Sequence, residues 1–231
     1  MDRSSSLTLS SQTSVADAPA KPRSRIQTLK RKAITDAALE VFAAEGYRGA
    51  SVERIAERAD MSKTNLLYYF PSKEDVYREV LEQTVEGWLE PFEAISADGE
   101  PVEELRRYIT AKLEMSARNP EGSRLFSNEI QRGAPLIMEF LQTRLKTLVD
   151  DKCGIIRQWI DEGRLAPVDP YHLVFTIWAT TQHYADFEVQ IGAIMGGQAS
   201  KPGFEDQAAH AVLSIILNGI RPKDIIAGTA L

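Results

Sequence analysis

SVERIAERADMSKTNLLYYFPSK, residues 51–73, reads as two short helices joined by a tight turn. Val52, Ile55, Ala56 and Ala59 recur at helical spacing and give the first helix one apolar face. Ser51 precedes that run and can accept a hydrogen bond from a free N–H at the helix start. Asp60 and Met61 break the pattern, and Ser62 is placed to cap a second helix from Lys63 to Tyr69. Pro71 ends it, because the residue before a proline is pushed out of the α region. This is the layout of a helix-turn-helix, whose second helix enters the DNA major groove. Leu66 and Phe70, four apart, can face inward and leave Lys63, Thr64, Asn65 and Tyr69 on outer faces. Short polar side chains at the start of such a helix suit base edges, and cations or hydroxyls nearby suit phosphates. On this pattern alone, an ordinary helical hairpin with a solvated face is an equal reading.

The literal residues separate the two. KTNLLYYFPSKEDVY, preceded by SVERIAERADMS, resembles the DNA-binding region of the TetR family of transcriptional regulators. That family carries an aromatic cluster after the recognition helix and a Ser-Lys-Glu opening a long fourth helix. The corresponding residues here are Tyr68, Tyr69, Phe70, Ser72, Lys73 and Glu74. The resemblance implies double-stranded operator DNA as a partner, contacted by Ser51, Ser62, Lys63, Thr64, Asn65, Tyr68, Tyr69 and Lys73. One departure is Asp60, at a turn position where the family usually has glycine. Asp tolerates the left-handed conformation better than most residues, so the turn is expected to be slightly strained.

Charge is distributed in keeping with that expectation. The 231-residue chain has a formal net charge of −6, which taken whole is wrong for a DNA binder. Residues 21–73, however, hold 11 Lys or Arg against 6 Asp or Glu, while the remainder is strongly acidic. Cations therefore gather where phosphates would be neutralised, and the acidic remainder would orient the approach. Lys21, Arg23, Arg25, Lys30, Arg31 and Lys32 follow one another without an acid and read as a basic arm before the DNA-binding unit. Residues 1–20, rich in Ser, Thr and Ala, have little to bury and are expected to be disordered.

Everything else reads as helix, and no alternating strand pattern is present. The first helix is expected from about Ile26 to Glu45 with Gly46 as its stop. Ser72 and Asp75 form a capping pair for a helix running to Pro91. Further helices are read at about 101–118, 120–131, 135–162, 170–194 and 204–219. Pro101, Pro120, Pro135 and Pro170 stand near their starts, and Asn119 and Asp169 are placed as caps. The expected fold is all-α: a tail (1–22), a helix-turn-helix domain (23–72), a helical ligand-binding and dimerisation domain (73–222) and a C-terminal tail (223–231).

Catalysis has little support. His172, His183 and His210 are the three histidines, and no paired Glu-x-x-His, Gly-rich phosphate loop, GxSxG or HExxH occurs. The chain is read as no enzyme and as needing no metal or cofactor. No apolar run approaches the ~20 residues of a membrane span, and one cysteine, Cys153, makes no internal disulfide. A cytoplasmic location is expected.

A binding cavity is a better fit. The segment IWATTQHYADF, residues 177–187, interrupts a core-like stretch with Thr181, Gln182, His183 and Tyr184. Left unpaired in a core, such groups cost about 1–3 kcal/mol each. They must pair internally, meet a dimer partner or meet a ligand. Gln182 offers one acceptor and two donors on a planar amide, which suits a small planar molecule presenting both N–H and C=O. Within the TetR family, WLxP (88–91), KLE (112–114), SRLF (123–126), LAPxDPxHL (165–173), WAxTQHYADF (178–187) and GIRP (219–222) are similar to regulators of pyrimidine utilisation. That resemblance implies uracil or a related pyrimidine as a small-molecule effector that weakens operator binding. It places the pocket on Trp88, Trp178 and Gln182, with Lys112 beside them. It also implies a homodimer, for which Phe175, Ile177, Val212, Ile215, Ile216 and Leu217 are apolar enough, as they are for core packing. A TetR-type regulator answering to a different small planar metabolite is the alternative. The run GGQASKPG after Met195 matches nothing in the pattern.

Overall fold

The computed structural model describes residues 25–222, and among these every regular element is helical. The expected tails at 1–22 and 223–231, and Lys21 and Arg23 of the basic arm, lie outside the described residues.

Three helices make the N-terminal unit: α1 (Arg25–Gly49), α2 (Val52–Arg58) and α3 (Lys63–Tyr69). Gly46, at φ 68°, breaks the regular course of α1 where the sequence places a stop. Ile34, Ala38 and Phe42 of α1 close over Ile55 and Ala56 of α2 and over Leu66 and Phe70, all at 2% exposure or less. Each large side chain so removed from water contributes about 1.5–3 kcal/mol. Ser51 and Ser62 cap α2 and α3 by accepting from the Arg54 and Asn65 amides. Between the helices, Asp60 adopts φ 51°, the left-handed conformation the sequence demands of it. The Met61 amide reaches back to the Ala56 carbonyl at 3.0 Å and locks the turn.

The larger unit begins with α4 (Lys73–Glu93), followed by α5 (Pro101–Arg118) and α6 (Pro120–Gln131). Ser72 caps α4 through the Asp75 amide at 3.1 Å, and Asn119 and Asp169 cap α6 and the helix that begins at Pro170 in the same way. After a turn come α7 (Met138–Phe140), a π-helical turn (Leu141–Leu145) and α8 (Lys146–Asp161). The chain closes with α9 (Pro170–Asp186), α10 (Glu188–Met195), a short 3₁₀ turn (Gly196–Gln198) and α11 (Phe204–Ile220). A single apolar core runs from Ile34 to Ile220, so the two units share packing rather than meeting across a linker.

Three expectations need correction, and the two readings of the apolar residues near the C-terminus can be divided. Helix α4 does not stop at Pro91 but continues to Glu93. A proline clashes with the carbonyl four residues back, here that of Gly87, but Phe92 and Ile95 are drawn into the core and hold the last turn. The helix expected from 135 begins only at Met138, because Gly133 (φ 90°) and Ala134 (φ 53°) form a turn that the buried Glu129 carboxylate holds through the Leu136 amide. The helix expected over 170–194 breaks at Phe187, just after Asp186 is captured by Ser123 and Ser127 of α6. Of the six candidate dimer residues, Ile177, Val212, Ile216 and Leu217 belong to the core. Phe175 and Ile215 remain outward, 50% and 75% exposed.

Among the described residues Asp60 has no ion pair, and it is exposed, so its cost is conformational. Asp60→Gly should therefore raise unfolding free energy by about 0.5–1 kcal/mol. Urea titration followed by circular dichroism measures this, and an unchanged or lowered midpoint contradicts a strained turn.

Candidate DNA interface and effector site

Helix α3 presents Ser62, Lys63, Thr64, Asn65 and Tyr68 to solvent, with Tyr68 73% exposed. Leu66 below them anchors the helix in the core at 0% exposure. Lys63 is paired across the turn with Glu53 of α2 at 2.6 Å. That hydrogen bond lowers the Glu53 carboxyl below its usual range. Both partners are more than half exposed, so the pair is weak and can open to a phosphate. Tyr69, expected on an outer face, is instead half-buried and packs against the core. Ser51 is half-buried at the α2 cap.

Two cations fasten this unit to α4. Arg31 of α1 donates to the Tyr69 carbonyl at 2.8 Å, pairs with Glu79 of α4 and lies 3.9 Å over the Phe70 ring. Lys73, at the first turn of α4, donates to the Tyr47 and Ala50 carbonyls at 2.8 and 2.9 Å and stands over the Tyr47 ring. Lys73, expected at DNA, thus spends two of its three N–H donors on the end of α1. Its first effect is to position α4.

The second set of candidate residues lies along the other end of α4. Trp88 (α4) and Lys112 (α5) are 6% and 3% exposed, and the Lys112 amine sits 4.1 Å from the Trp88 ring centroid. Phe126 closes the far edge of Trp88 at 5.4 Å. Trp178 (α9) donates its indole N–H to the Tyr108 hydroxyl at 2.6 Å, and Phe92 lies against both Tyr108 and Trp178. Tyr108 precedes Lys112 by one turn of α5, so Trp88, Lys112 and Trp178 belong to one chain of contacts. Gln182 follows Trp178 by one turn of α9, half-buried, its side-chain amide making no hydrogen bond to any described residue.

Lys112 is the anomaly of the site. Among the described residues no acceptor takes a hydrogen bond from its amine. Burial pushes its pKa down from 10.5 to about 7, against a smaller opposing pull from Asp186. Ser123 and Ser127 hold the Asp186 carboxylate. Thr181 satisfies itself on the Ile177 carbonyl at 2.7 Å, which leaves Gln182 and Lys112 as the unspent polar groups. Tyr108 and Asp186 were not singled out in the sequence. Their signal was present as one-turn spacing, Tyr108 to Lys112 and Gln182 to Asp186.

Two cavities are found elsewhere. One of about 330 Å³ lies between α1, α4 and α6, against Tyr47, Tyr77 and Arg132. The other, about 420 Å³, lies between α5, α9, α10 and α11. Neither is lined by Trp88, Lys112, Trp178 or Gln182. Among the described residues no cluster of metal-ligating side chains occurs, and no helix is long and apolar enough to cross a membrane.

Known proteins bear on the same two regions. Residues 34–80 match the family model described as bacterial regulatory proteins, tetR family, and residues 81–223 match the YcdC-like protein, C-terminal region. The chain is 48% identical over 201 residues to the HTH-type transcriptional regulator RutR of Escherichia coli strain K12, covering 87% of this chain and 95% of that one. It is 25% identical over 211 residues to the transcriptional repressor KstR2 of Mycolicibacterium smegmatis, covering 88% and 94%. Among solved structures, the Streptomyces coelicolor regulator SCO4942 superposes with a TM-score of 0.68 at 26% identity, over 84% of this chain and 99% of that one. KstR2 of Mycobacterium tuberculosis shares the fold at a TM-score of 0.65 and 22% identity, over 84% and 96%. With both family models matched across the two units and the helix-turn-helix intact within the first, the chain belongs to the TetR family of DNA-binding transcriptional regulators.

Proposed function

We propose that this regulator is a repressor that senses a small pyrimidine, uracil or a close relative, and releases its operator when the pyrimidine binds. The observation that carries the reading is the Lys112 amine. It is buried beside an indole, its pKa is lowered to about 7, and no acceptor meets it. A ring carbonyl would supply that acceptor. Gln182, with both faces of its amide unspent, would read the adjoining N–H and C=O edge. Trp88 and Trp178 supply aromatic faces for a planar ring. The similarity in sequence to RutR, and the pyrimidine-regulator stretches from Trp88 to Pro222, support the same choice of ligand.

The regulator acts as a homodimer, since two recognition helices must meet successive major grooves roughly 34–36 Å apart. The outward face of α9 and α11, with Phe175 and Ile215, suits the contact between copies. Helix α4 carries both ends of the switch. Trp88 stands near its C-terminus, and Lys73 and Glu79 fasten its N-terminal half to the DNA-binding unit. A ligand wedged at Trp88 and Lys112 would tilt α4 and change the spacing. It does so only in proportion to its preference for one spacing over the other. Control of pyrimidine-metabolism genes follows as the purpose.

Uracil should raise the melting temperature and lower operator affinity, with thymine weaker and xanthine inactive. Trp178→Ala and Gln182→Ala should each weaken uracil binding at least tenfold by calorimetry, about 1.4 kcal/mol. If xanthine or another planar ring shifts the protein and uracil does not, the effector is a different metabolite and the fold and DNA role stand.

The lysine fixes a pH dependence. Between pH 7 and about 10.5 the unfolded chain keeps a proton that folded Lys112 has released, so this group's contribution to stability rises with pH over that window. Below pH 7 its buried charge opposes folding in full. A ligand carbonyl pairs more strongly with the charged amine than with the neutral one, so uracil affinity should fall as pH rises above 7. In Lys112→Met it should be weak and flat. Calorimetry from about pH 6.5 to about pH 8.5 reads both, and a flat profile in the natural protein removes Lys112 from the site.

At the DNA face, Lys63→Ala should weaken operator binding and lower the slope of log affinity against log salt by about 1. A titration by fluorescence anisotropy at several salt concentrations measures it. An unchanged slope means that Lys63 stays with Glu53 on DNA.

A further inference from the structure

All three histidines of the chain stand on the outward faces of α9 and α11. From Pro170 to Ala185, and again from Gln207 to Ile220, the sequence holds no Asp, Glu, Lys or Arg. The exposed stripe of α9 is made of His172, Phe175, Thr176, Ala179 and His183. That of α11 carries His210, Ala211, Ser214 and Ile215. In a chain with 26% charged residues, two outward helix faces without one fixed charge are anomalous. Depletion of charge marks the core of a protein interface. Thr176, Ala179, Ala211 and Ser214 are small enough to let the helices of another copy come close. A second copy is the occupant, because two recognition helices are needed on DNA and a two-fold contact sets one face against itself.

The imidazoles have rings for neighbours and no charged partner. His183 stacks on Phe187 at 4.8 Å, and His172 lies 6.4 Å from Phe175. Among the described residues none of the three imidazoles takes part in a hydrogen bond or an ion pair. Charged groups keep to the ends of the stripes. Asp169 caps α9 through the His172 amide, and Asp206 stands one turn before His210. Beyond His183, Asp186 is held by Ser123 and Ser127, and Glu188 of α10 pairs with Arg124 of α6. On α8, Asp150 is engaged by Lys146 and Tyr171. On α5, Lys112 is buried and Glu114 pairs with Arg118.

Imidazole is the side chain that gains a charge as pH falls from about 7 to about 5. On a free copy that charge stays hydrated. Inside the contact it loses water and faces the like charge of the other copy. Resting on the homodimer reading above, we propose that His172, His183 and His210 make the contact between copies acid-labile, so that protonation parts the dimer and its paired recognition helices. Each histidine counts twice in a two-fold contact. One position barred from protonation in the dimer weakens association about tenfold per copy between about pH 7.5 and about pH 5.5, or about a hundredfold for the two.

Sedimentation equilibrium of the full chain at about pH 7.5 and about pH 5.5, without ligand or DNA, reads the dissociation constant. Circular dichroism at both values reports the fold. The natural protein should dimerise about a hundredfold more weakly in acid while remaining helical. The triple variant His172→Gln, His183→Gln, His210→Gln, altered only at exposed positions, should change less than about threefold. Lys112 and every carboxylate are the same in both proteins, so the difference isolates the imidazoles. If the triple variant is monomeric at the higher pH, the three single variants replace it, and at least one should lose about tenfold of the acid effect. A natural protein equally dimeric at both values overturns the proposal and leaves the homodimer standing. Unfolding in place of dissociation, or variants that part in acid as the natural protein does, overturn it as well. A chain monomeric at both values removes the homodimer reading itself.

Discussion

The attachment of α4 to the DNA-binding unit is the constraint on which the rest depends. Lys73 is held by two carbonyls at the end of α1, and Arg31 joins the end of α3 to Glu79 one and a half turns further along α4. Charge-assisted hydrogen bonds of this kind are about twice as strong as neutral ones, and the Tyr47 and Phe70 rings beneath the cations shield them from water. The recognition helix therefore cannot turn independently of α4. Since Val76, Val80, Leu81 and Val85 carry α4 into the common core, its far end cannot move without repacking that core. Close-packed interiors favour discrete rearrangements over gradual bending. Trp88 and α3 are thus joined through one helix that is packed at one end and hydrogen-bonded at the other.

Much of this architecture is written locally. Ser51, Ser62, Ser72, Asn119 and Asp169 are caps whose role needs only their own neighbours, and each accepts the amide hydrogen bond that its position implies. Asp60 is legible for the same reason: a two-helix turn of that length needs a left-handed residue there, whatever surrounds it. The features that escaped are those decided by distant partners. Phe187 breaks a helix that periodicity would continue, beside an Asp186 held by α6, more than fifty residues earlier in sequence. The start of α7 is displaced because a buried Glu129 commands the preceding turn. Pro91 sits inside α4 because tertiary burial of Phe92 outweighs a local preference.

The candidate effector site divides along the same line. Gln182 stands out in the sequence because a planar amide interrupts a core-like stretch, whereas Trp88 and Trp178 are ordinary core residue types that only the resemblance of the surrounding stretches singles out. Tyr108 and Asp186 were not, because their importance comes from what they touch: an indole N–H in one case, two hydroxyls in the other. Dimer residues were ambiguous for a related reason. Ile215 and Ile216 are adjacent and equally apolar, and only the rotation of α11 against α5 and α9 sends one outward and the other in.

Lys112 shows why such a site is held in tension. A lysine at the centre of an aromatic cluster lowers stability below neutral pH, and an aliphatic residue of the same length would pack there without that cost. Its amine has the Trp88 face for partial compensation and Asp186 at longer range, yet Asp186 is already engaged by Ser123 and Ser127. The arrangement leaves a donor short of acceptors in a low-dielectric surrounding, where one added carbonyl is worth more than it would be in water. A ligand that supplies it gains affinity from strain already present in the free protein. Under the proposed function, a ligand that reached the Lys112 amine would also touch Trp88 of α4, which is how its binding would be coupled to that helix.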